Sequence, residues 1–396
     1  MEADLARVLV IGGTGYLGGL IAATLLTRTQ DVVVLATRPG HERDDIVARL
    51  RMEITAAGDR EGDSLERLRI VPLPAPGDAR GFSGLFREQR IEEVVNCAGA
   101  VHYHDVAALK QSNVDLVNDL LAASKEARIA RFIHISTAFA HGFTSEAAPE
   151  TLLAEPAGDP TEYTRFKRRA EWIVAESGLP FLILRPSIVI GDSRDGHYFG
   201  PPYGLYQYWQ SFAKVLMSRY RETIHVVASS HKLPLLHQDA FIATLMAARE
   251  TLKEDAFVNV VSSPDLLPTV EELWRLFSDL VVHPRELRVY GSLEEAPLAS
   301  LDPRYQVFLA HTAVNTEIAR HPWRFETGHR DRLMAHGLVF PQVTIDSVRK
   351  CQSRFAGSSE SVRRYHQKFE ALFPGAPKEP RALADRLETA GGGWLL

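Results

Sequence analysis

Short apolar runs alternate with longer amphipathic stretches through the first half of the chain. The runs are residues 7–11, 31–36, 69–73, 93–97, 131–136 and 180–184, and they read as buried strands. Between them, 16–28, 105–126 and 160–177 carry apolar positions at helical spacing. Continuous apolar strands suit a sheet covered on both faces, and strand–helix alternation predicts that the sheet is parallel. The expected fold is therefore an α/β, Rossmann-type doubly wound parallel sheet.

After Arg185-Pro186 the periodicity loosens. Residues 190–236 are rich in Gly, Pro and aromatic residues, among them Tyr198, Phe199, Tyr203, Tyr206, Tyr208 and Trp209. A helix is expected from Asp239 through Ala248, a strand from Phe257 to Val261, and a helix from Thr269 to Leu280 capped by Thr269 with Glu271 and Glu272. The remainder to about residue 375 reads as helical and irregular. The predicted organisation is a nucleotide-binding domain over 1–190, rejoined by 239–262. A smaller, mostly helical substrate part covers 191–238 and 263–375, and 376–396 is a flexible tail.

Composition narrows the picture by exclusion. The chain has 396 residues, 45% hydrophobic and 24% charged, ordinary values for a globular protein. Its formal net charge of −5 offers no global basic field for nucleic acid. The two cysteines, Cys97 and Cys351, form no metal-like or disulfide spacing, so no metal is expected. The residues before the first strand lack the charged flank, long apolar stretch and small-residue cleavage site of a signal peptide, and no apolar run reaches the roughly 18 residues of a membrane span. A cytoplasmic location with no transmembrane segment is the expectation.

The first candidate chemistry is a turn. Gly12-Gly13-Thr14-Gly15-Tyr16-Leu17-Gly18 follows the first strand and opens the first helix. Glycine at 12, 15 and 18 permits a tight turn, close approach of a pyrophosphate and close helix–strand packing. The helix start then presents free N–H groups to the anion. The second strand ends at Thr37-Arg38, without the acid that favours NAD. Arg38, assisted by His41 and Arg43, suits a 2′-phosphate, so NADPH/NADP is the predicted cofactor.

The second is catalytic. Tyr163 and Lys167 stand four apart in a predicted helix, hence on one face a turn apart. A nearby ammonium favours the phenolate and lowers a tyrosine pKa from about 10. Ser136-Thr137 ends a strand at the crevice where ligands sit in such sheets. Thr137 is the candidate donor to a developing oxyanion, with Ser136 its competitor.

These features in this order resemble the extended short-chain dehydrogenase/reductase family over about residues 6–270. The resemblance implies hydride delivery from a nicotinamide to a carbonyl. It adds Asp78 at the adenine, Ala98 and Gly99 within Asn96-Cys97-Ala98-Gly99, Asn113 in the next helix, and Arg185-Pro186-Ser187 near the nicotinamide. The candidate cofactor residues are then Gly12, Thr14, Gly15, Tyr16, Leu17, Gly18, Arg38, Asp78, Ala98, Gly99, Lys167, Pro186 and Ser187. Asn113-Val114 is followed by Asp115-Leu116 where relatives usually carry Gly-Thr.

Three local strings resemble the thioester reductase branch, the reductive release domains of nonribosomal peptide and polyketide synthases and their kin in carboxylic acid and fatty acyl reductases. They are Ser136-Thr137-Ala138-Phe139, the segment from Gly191-Asp192-Ser193-Arg194-Asp195-Gly196 to Gly200-Pro201-Pro202-Tyr203, and Leu233-Pro234-Leu235-Leu236-His237-Gln238-Asp239. That branch implies reduction of an acyl thioester, held on an acyl or peptidyl carrier protein or on coenzyme A, to an aldehyde or alcohol. The alternatives are an NADP-dependent ketone or aldehyde reductase, a sugar-nucleotide-modifying enzyme, and a non-catalytic NADP-binding regulator. The aromatic stretch 198–212 is expected either in the pocket wall or in a small hydrophobic core of the second domain. His102, Tyr103 and His104 lie at the ligand end of the sheet, and His237 and Asp239 read as loop organisers. Trp323, Phe325 and Arg330-Asp331-Arg332 carry no assignable role from sequence.

Overall fold

The computed structural model describes residues 5–58, 63–100, 105–369 and 371. His102, Tyr103, His104 and the tail 376–396 lie outside the described residues. The chain divides into two compact units: residues 1–187, 241–261 and 324–340, and residues 188–240, 262–323 and 341–396.

Strands β1 (Arg7–Ile11), β2 (Val32–Thr37), β3 (Leu68–Pro72), β4 (Glu93–Asn96), β5 (Arg131–Ile135) and β6 (Phe181–Pro186) belong to the first unit. Strands β7 (Ile188–Ile190), β8 (Thr223–Val227) and β9 (Leu235–His237) belong to the second, and β10 (Ala256–Val260) returns to the first. The main sheet runs β10-β6-β5-β4-β1-β2-β3. Every pairing in it is parallel. All residues of β2, β5, β6 and β10 are buried, the reason their sequences show no polar alternation. Because the strand order reverses between β1 and β4, their connections leave in opposite directions. That opens a crevice at the C-terminal strand ends.

The helices in the first 187 residues of this unit are α1 (Tyr16–Arg28), α2 (Arg43–Ala56), α3 (Ala79–Gln89), α4 (Val106–Lys110), α5 (Leu116–Ala127) and α6 (Glu162–Ala175). The stretch 105–126, expected as one helix, is divided. A π-type turn, Gln111–Asp115, separates α4 from α5 and contains Asn113. Helix α6 is started by a capping box in which Thr161 and Thr164 satisfy each other's backbone N–H.

Residues 324–340, which the sequence reading places in the substrate part, pack in the first unit. The reason is backbone pairing: Ala148 N–H donates to Arg324 O at 2.9 Å, and Glu326 N–H to Ala148 O at 3.0 Å. Arg330, buried, donates to Val261 O at 2.6 Å and so holds this segment at the end of β10.

The second unit has its own core. Tyr206, Tyr208, Trp209 and Phe212 on α7 (Leu205–Val215) are buried in it with residues of four helices that follow α8 (Gln238–Thr251). The Trp209 ring stacks on Phe277 of α9 (Val270–Phe277) at 3.7 Å between centroids. The core reading describes these four side chains, since apolar area that large stabilises a core when removed from water; Tyr208 and Trp209 also line a small cavity in it beside Val270 and Trp274. Thr269 caps α9 with Glu272 in a capping box. Strand β8 pairs in parallel with β11 (Glu286–Tyr290), and β7 with β9. Among the described residues no helix is long and apolar enough to cross a membrane.

Candidate active site

The glycine-rich turn is fixed by backbone crowding. Gly12 has φ +82°, and a Cβ there would stand 2.8 Å from Ala98 N. A Cβ on Gly18 would meet Gly12 O at 2.1 Å, and one on Gly15 the same oxygen at 3.1 Å. Only glycine lets α1 pack this closely on β1 and on the segment after β4. Gly15 is the N-cap of α1 and supplies no side-chain cap, so the first-turn amides keep their capacity for an anion. Arg49 of α2 donates to Thr14 O and braces the turn from outside. The sequence reading missed it, since nothing local links position 49 to position 14.

Six strand ends carry candidates. Gly12 follows β1, Arg38 follows β2, Asp78 lies beyond β3, Ala98 and Gly99 follow β4, Thr137 follows β5, and Pro186 closes β6 with Ser187 after it. Arg38 is exposed and has no ion-pair partner among the described residues. Asp78 is exposed too, and its carboxylate caps α3 by accepting from Gly81 N–H at 2.9 Å. Asn96 holds the turn after β4 from both ends of its amide, accepting from Ala98 N–H at 3.2 Å and approaching His134 Nδ1 at 3.2 Å.

Lys167 gathers several of these. It is buried on α6, and its ammonium donates to Ile135 O at 3.0 Å and to Ala98 O at 3.4 Å. A Cβ built on Gly99 would lie 3.1 Å from Lys167 Nζ and 2.6 Å from Asn113 Oδ1. Gly12, Ala98, Gly99, Asn113 and Lys167 therefore meet at one place, the crevice side of β1 and β4. Among the described residues Asn113 Oδ1 is buried without a hydrogen-bond partner, and so is Ser187 Oγ. Burial pulls the Lys167 pKa down to about 8, against the opposing effects of Cys97 and Glu171. Burial also pushes the Cys97 thiol up to about 12, so at neutral pH it is uncharged and Glu171 is the remaining anion.

Tyr163 is half-buried one turn before Lys167 on α6. Thr137 is buried, extended at φ −150°, and its oxygen accepts from Phe139 N–H at 3.4 Å, a long bond that also makes it the cap of the next turn. Ser136 is occupied otherwise: its hydroxyl donates to Glu171. Successive side chains of an extended segment face opposite ways, so Ser136 and Thr137 are divided between the packed interior and the other side.

Residues 138–161, which join Thr137 to α6, are irregular for most of their length and anchored by buried arginines. Arg168 donates to Ala140 O at 3.0 Å and forms two bonds of 2.7 Å to the Asp159 carboxylate. Arg185 donates to Pro149 O at 2.7 Å and Thr151 O at 2.8 Å. None of these anchors was identified from sequence. In the second unit His237 donates to Gly191 O at 2.7 Å, and Asp239 accepts from Ser193 N–H at 3.0 Å, so both organise the 191–197 loop.

The NAD-binding family described as male sterility protein matches residues 10–234. The chain belongs to that family. This places it among the NAD(P)-dependent oxidoreductases of the extended short-chain dehydrogenase/reductase type. It is 29% identical over 198 residues to dTDP-6-deoxy-L-talose 4-dehydrogenase (NAD(P)(+)) of Kitasatospora kifunensis, covering 48% of this chain and 55% of that protein. It is 28% identical over 209 residues to glycine betaine reductase ATRR of Emericella nidulans, covering 49% of this chain and 16% of that protein. The structure superposes on the terminal R domain from the myxalamid PKS-NRPS biosynthetic pathway with a TM-score of 0.68, at 17% identity over 90% of this chain and 92% of that domain. A likeness at that identity is one of fold.

Proposed function

We propose that this protein is an NADPH-dependent reductase of acyl thioesters, presented on a carrier protein or on coenzyme A and released as an aldehyde or alcohol. The carrying observation is the buried Lys167 ammonium, placed between the ends of β4 and β5, one turn from Tyr163 and beside Gly99. The residues fit a dinucleotide. A glycine turn too tight for any Cβ, an uncapped helix start, and two orphaned buried acceptors, Asn113 Oδ1 and Ser187 Oγ, surround the crevice. Gly12, Thr14, Gly15, Tyr16, Leu17 and Gly18 would hold the pyrophosphate. Asp78, Ala98 and Gly99 would hold the adenosine side, and Lys167, Pro186 and Ser187 the nicotinamide side. The exposed, unpaired Arg38 supports NADPH, since a guanidinium matches a 2′-phosphate.

Bound NADPH supplies the hydride. The chain's own residues do the rest. Thr137 and Tyr163 donate hydrogen bonds to the carbonyl oxygen as it takes on charge, and Tyr163 gives up a proton to it. Lys167, charged below about pH 8, stabilises the phenolate left behind. For a thioester the balance is one NADPH and one proton consumed, with one aldehyde and one thiol formed. The fold likeness to a PKS-NRPS R domain supports the thioester reading.

The test supplies NADPH with acyl thioesters on coenzyme A and on carrier-protein pantetheine, following nicotinamide absorbance and product mass. NADPH loss matched by aldehyde or alcohol is the expected result. The match to a deoxy-talose dehydrogenase favours a second reading, oxidation or reduction at a sugar-nucleotide carbon. Turnover of dTDP-sugars with none on thioesters would replace the first reading with that one.

A further inference from the structure

Helix α6 carries a stripe at four-residue spacing: Tyr163, Lys167 and Glu171. Glu171 is fully buried, and a carboxylate in that position is costly unless paired. Its partner is Arg185, equally buried. Arg185 Nε donates to the two carboxylate oxygens at 3.0 and 3.1 Å, and Nη2 to one of them at 2.7 Å. The same carboxylate accepts the Ser136 hydroxyl. Arg185 extends the network to Pro149 O and Thr151 O, and its guanidinium lies 4.7 Å from the centre of the Phe257 ring.

Each member of this network adjoins a residue of the proposed centre. Ser136 precedes Thr137, Glu171 follows Lys167 by one helical turn, and Arg185 precedes Pro186 and Ser187. A buried ion pair contributes little net stability, because desolvation of two charges offsets their attraction, and a well-packed apolar pair is often as stable. Stability is therefore a weak reason for placing one here.

We propose that Glu171 is a positioning residue for the reaction: a single carboxylate ties the ends of β5 and β6 to α6 and so sets where Thr137, Lys167 and Ser187 stand. It also removes Ser136 from competition with Thr137 for the substrate oxygen. The inference rests on the assignment of the catalytic centre made above. The groups facing Lys167 are Cys97 and Ala98 O after β4, Ile135 O and His134 on β5, and Tyr163 and Glu171 on its own helix. Burial holds His134 neutral, and Cys97 is a neutral thiol, so Glu171 is the anion that supports the Lys167 charge.

The test compares Glu171→Asp with the double variant Glu171→Met/Arg185→Met, which replaces the pair by apolar side chains. Thermal midpoint, NADPH affinity by fluorescence, kcat, and the pH dependence of kcat are read on whichever carbonyl substrate the protein turns over. In the double variant we expect a lower thermal midpoint, because Pro149 O, Thr151 O and the Ser136 hydroxyl lose their partners, an NADPH affinity reduced by far less than the rate, a kcat lower by about a hundredfold, as for a misplacement near 1 Å, and an alkaline limb displaced to lower pH. Glu171→Asp keeps the charge and moves the geometry, so kcat falls while the alkaline limb stays. A double variant with wild-type kcat and pH profile overturns the proposal. If that variant does not fold, wild-type kcat in Glu171→Asp overturns it alone. Full activity in Tyr163→Phe under the same assay would instead remove the assignment on which the inference rests, whatever Glu171 does.

Discussion

The two halves of the crevice are built by different means. On the β1–β4 side the site is made of backbone: glycines whose Cβ atoms would collide with main chain at 2.1 to 3.1 Å, and a helix start left uncapped. On the β5–β6 side it is made of buried charge: Glu171 with Arg185, Arg168 with Asp159, and the Lys167 ammonium. Nucleotide binding needs a surface that an anion can approach, which absence of side chains provides. Proton transfer needs groups held at fixed separations in a low dielectric, which paired charges provide at the cost of desolvation. The first half should therefore fail through affinity and the second through rate.

The largest break in that comparison is Tyr163→Phe. Losing the proposed proton donor should lower kcat by about 10²–10⁴ while NADPH affinity stays within twofold or so. Single-turnover rates and fluorescence titration separate the two. A fall in affinity equal to the fall in rate would show that the halves are not separable. Gly18→Ala probes the other side. Its Cβ would sit 2.1 Å from Gly12 O, so the turn must move. Overpacking of this kind costs about 1–3 kcal/mol, and NADPH affinity should weaken by tens of fold, up to about a hundredfold. Because α6 and β5 are untouched, kcat at saturating NADPH should change little. An unchanged dissociation constant would mean that the turn is not the phosphate cradle.

The same division explains what the sequence disclosed. The turn was legible because its whole meaning lies in seven consecutive residues with a strand before and a helix after. Tyr163 and Lys167 were legible because four-residue spacing on a helix is local. The network around Glu171 was not: Ser136 lies 35 residues before it and Arg185 lies 14 after it, in three different elements, and only the fold brings them together. Asn113 shows a partial signal. Its place in the motif order was visible, but Asp115-Leu116 obscured it, and the π-type turn that aims its side chain at Gly99 has no simple periodicity. The aromatic residues 206–212 left two readings open, since composition alone does not separate a pocket wall from a core, and only the fold shows them buried together. Thr137 against Ser136 was left open by sequence, and the Ser136 bond to Glu171 now favours Thr137.

Arg38→Ala is the smallest expected effect and the sharpest on cofactor choice. Arg38 is exposed just after β2, so the proposed contact with a 2′-phosphate would be partly screened by water and salt. A charge-assisted hydrogen bond of about 1.5 kcal/mol corresponds to a KM for NADPH raised roughly tenfold. The KM for NADH, which lacks the 2′-phosphate, should stay where it was, and kcat with either cofactor should hold, because nothing on the β5–β6 side has moved. Raising ionic strength should narrow the gap between wild type and variant, as expected of an exposed charge. Equal losses with NADPH and NADH would instead assign Arg38 to the shape of the turn beyond β2, and with it the phosphate preference would pass to another residue.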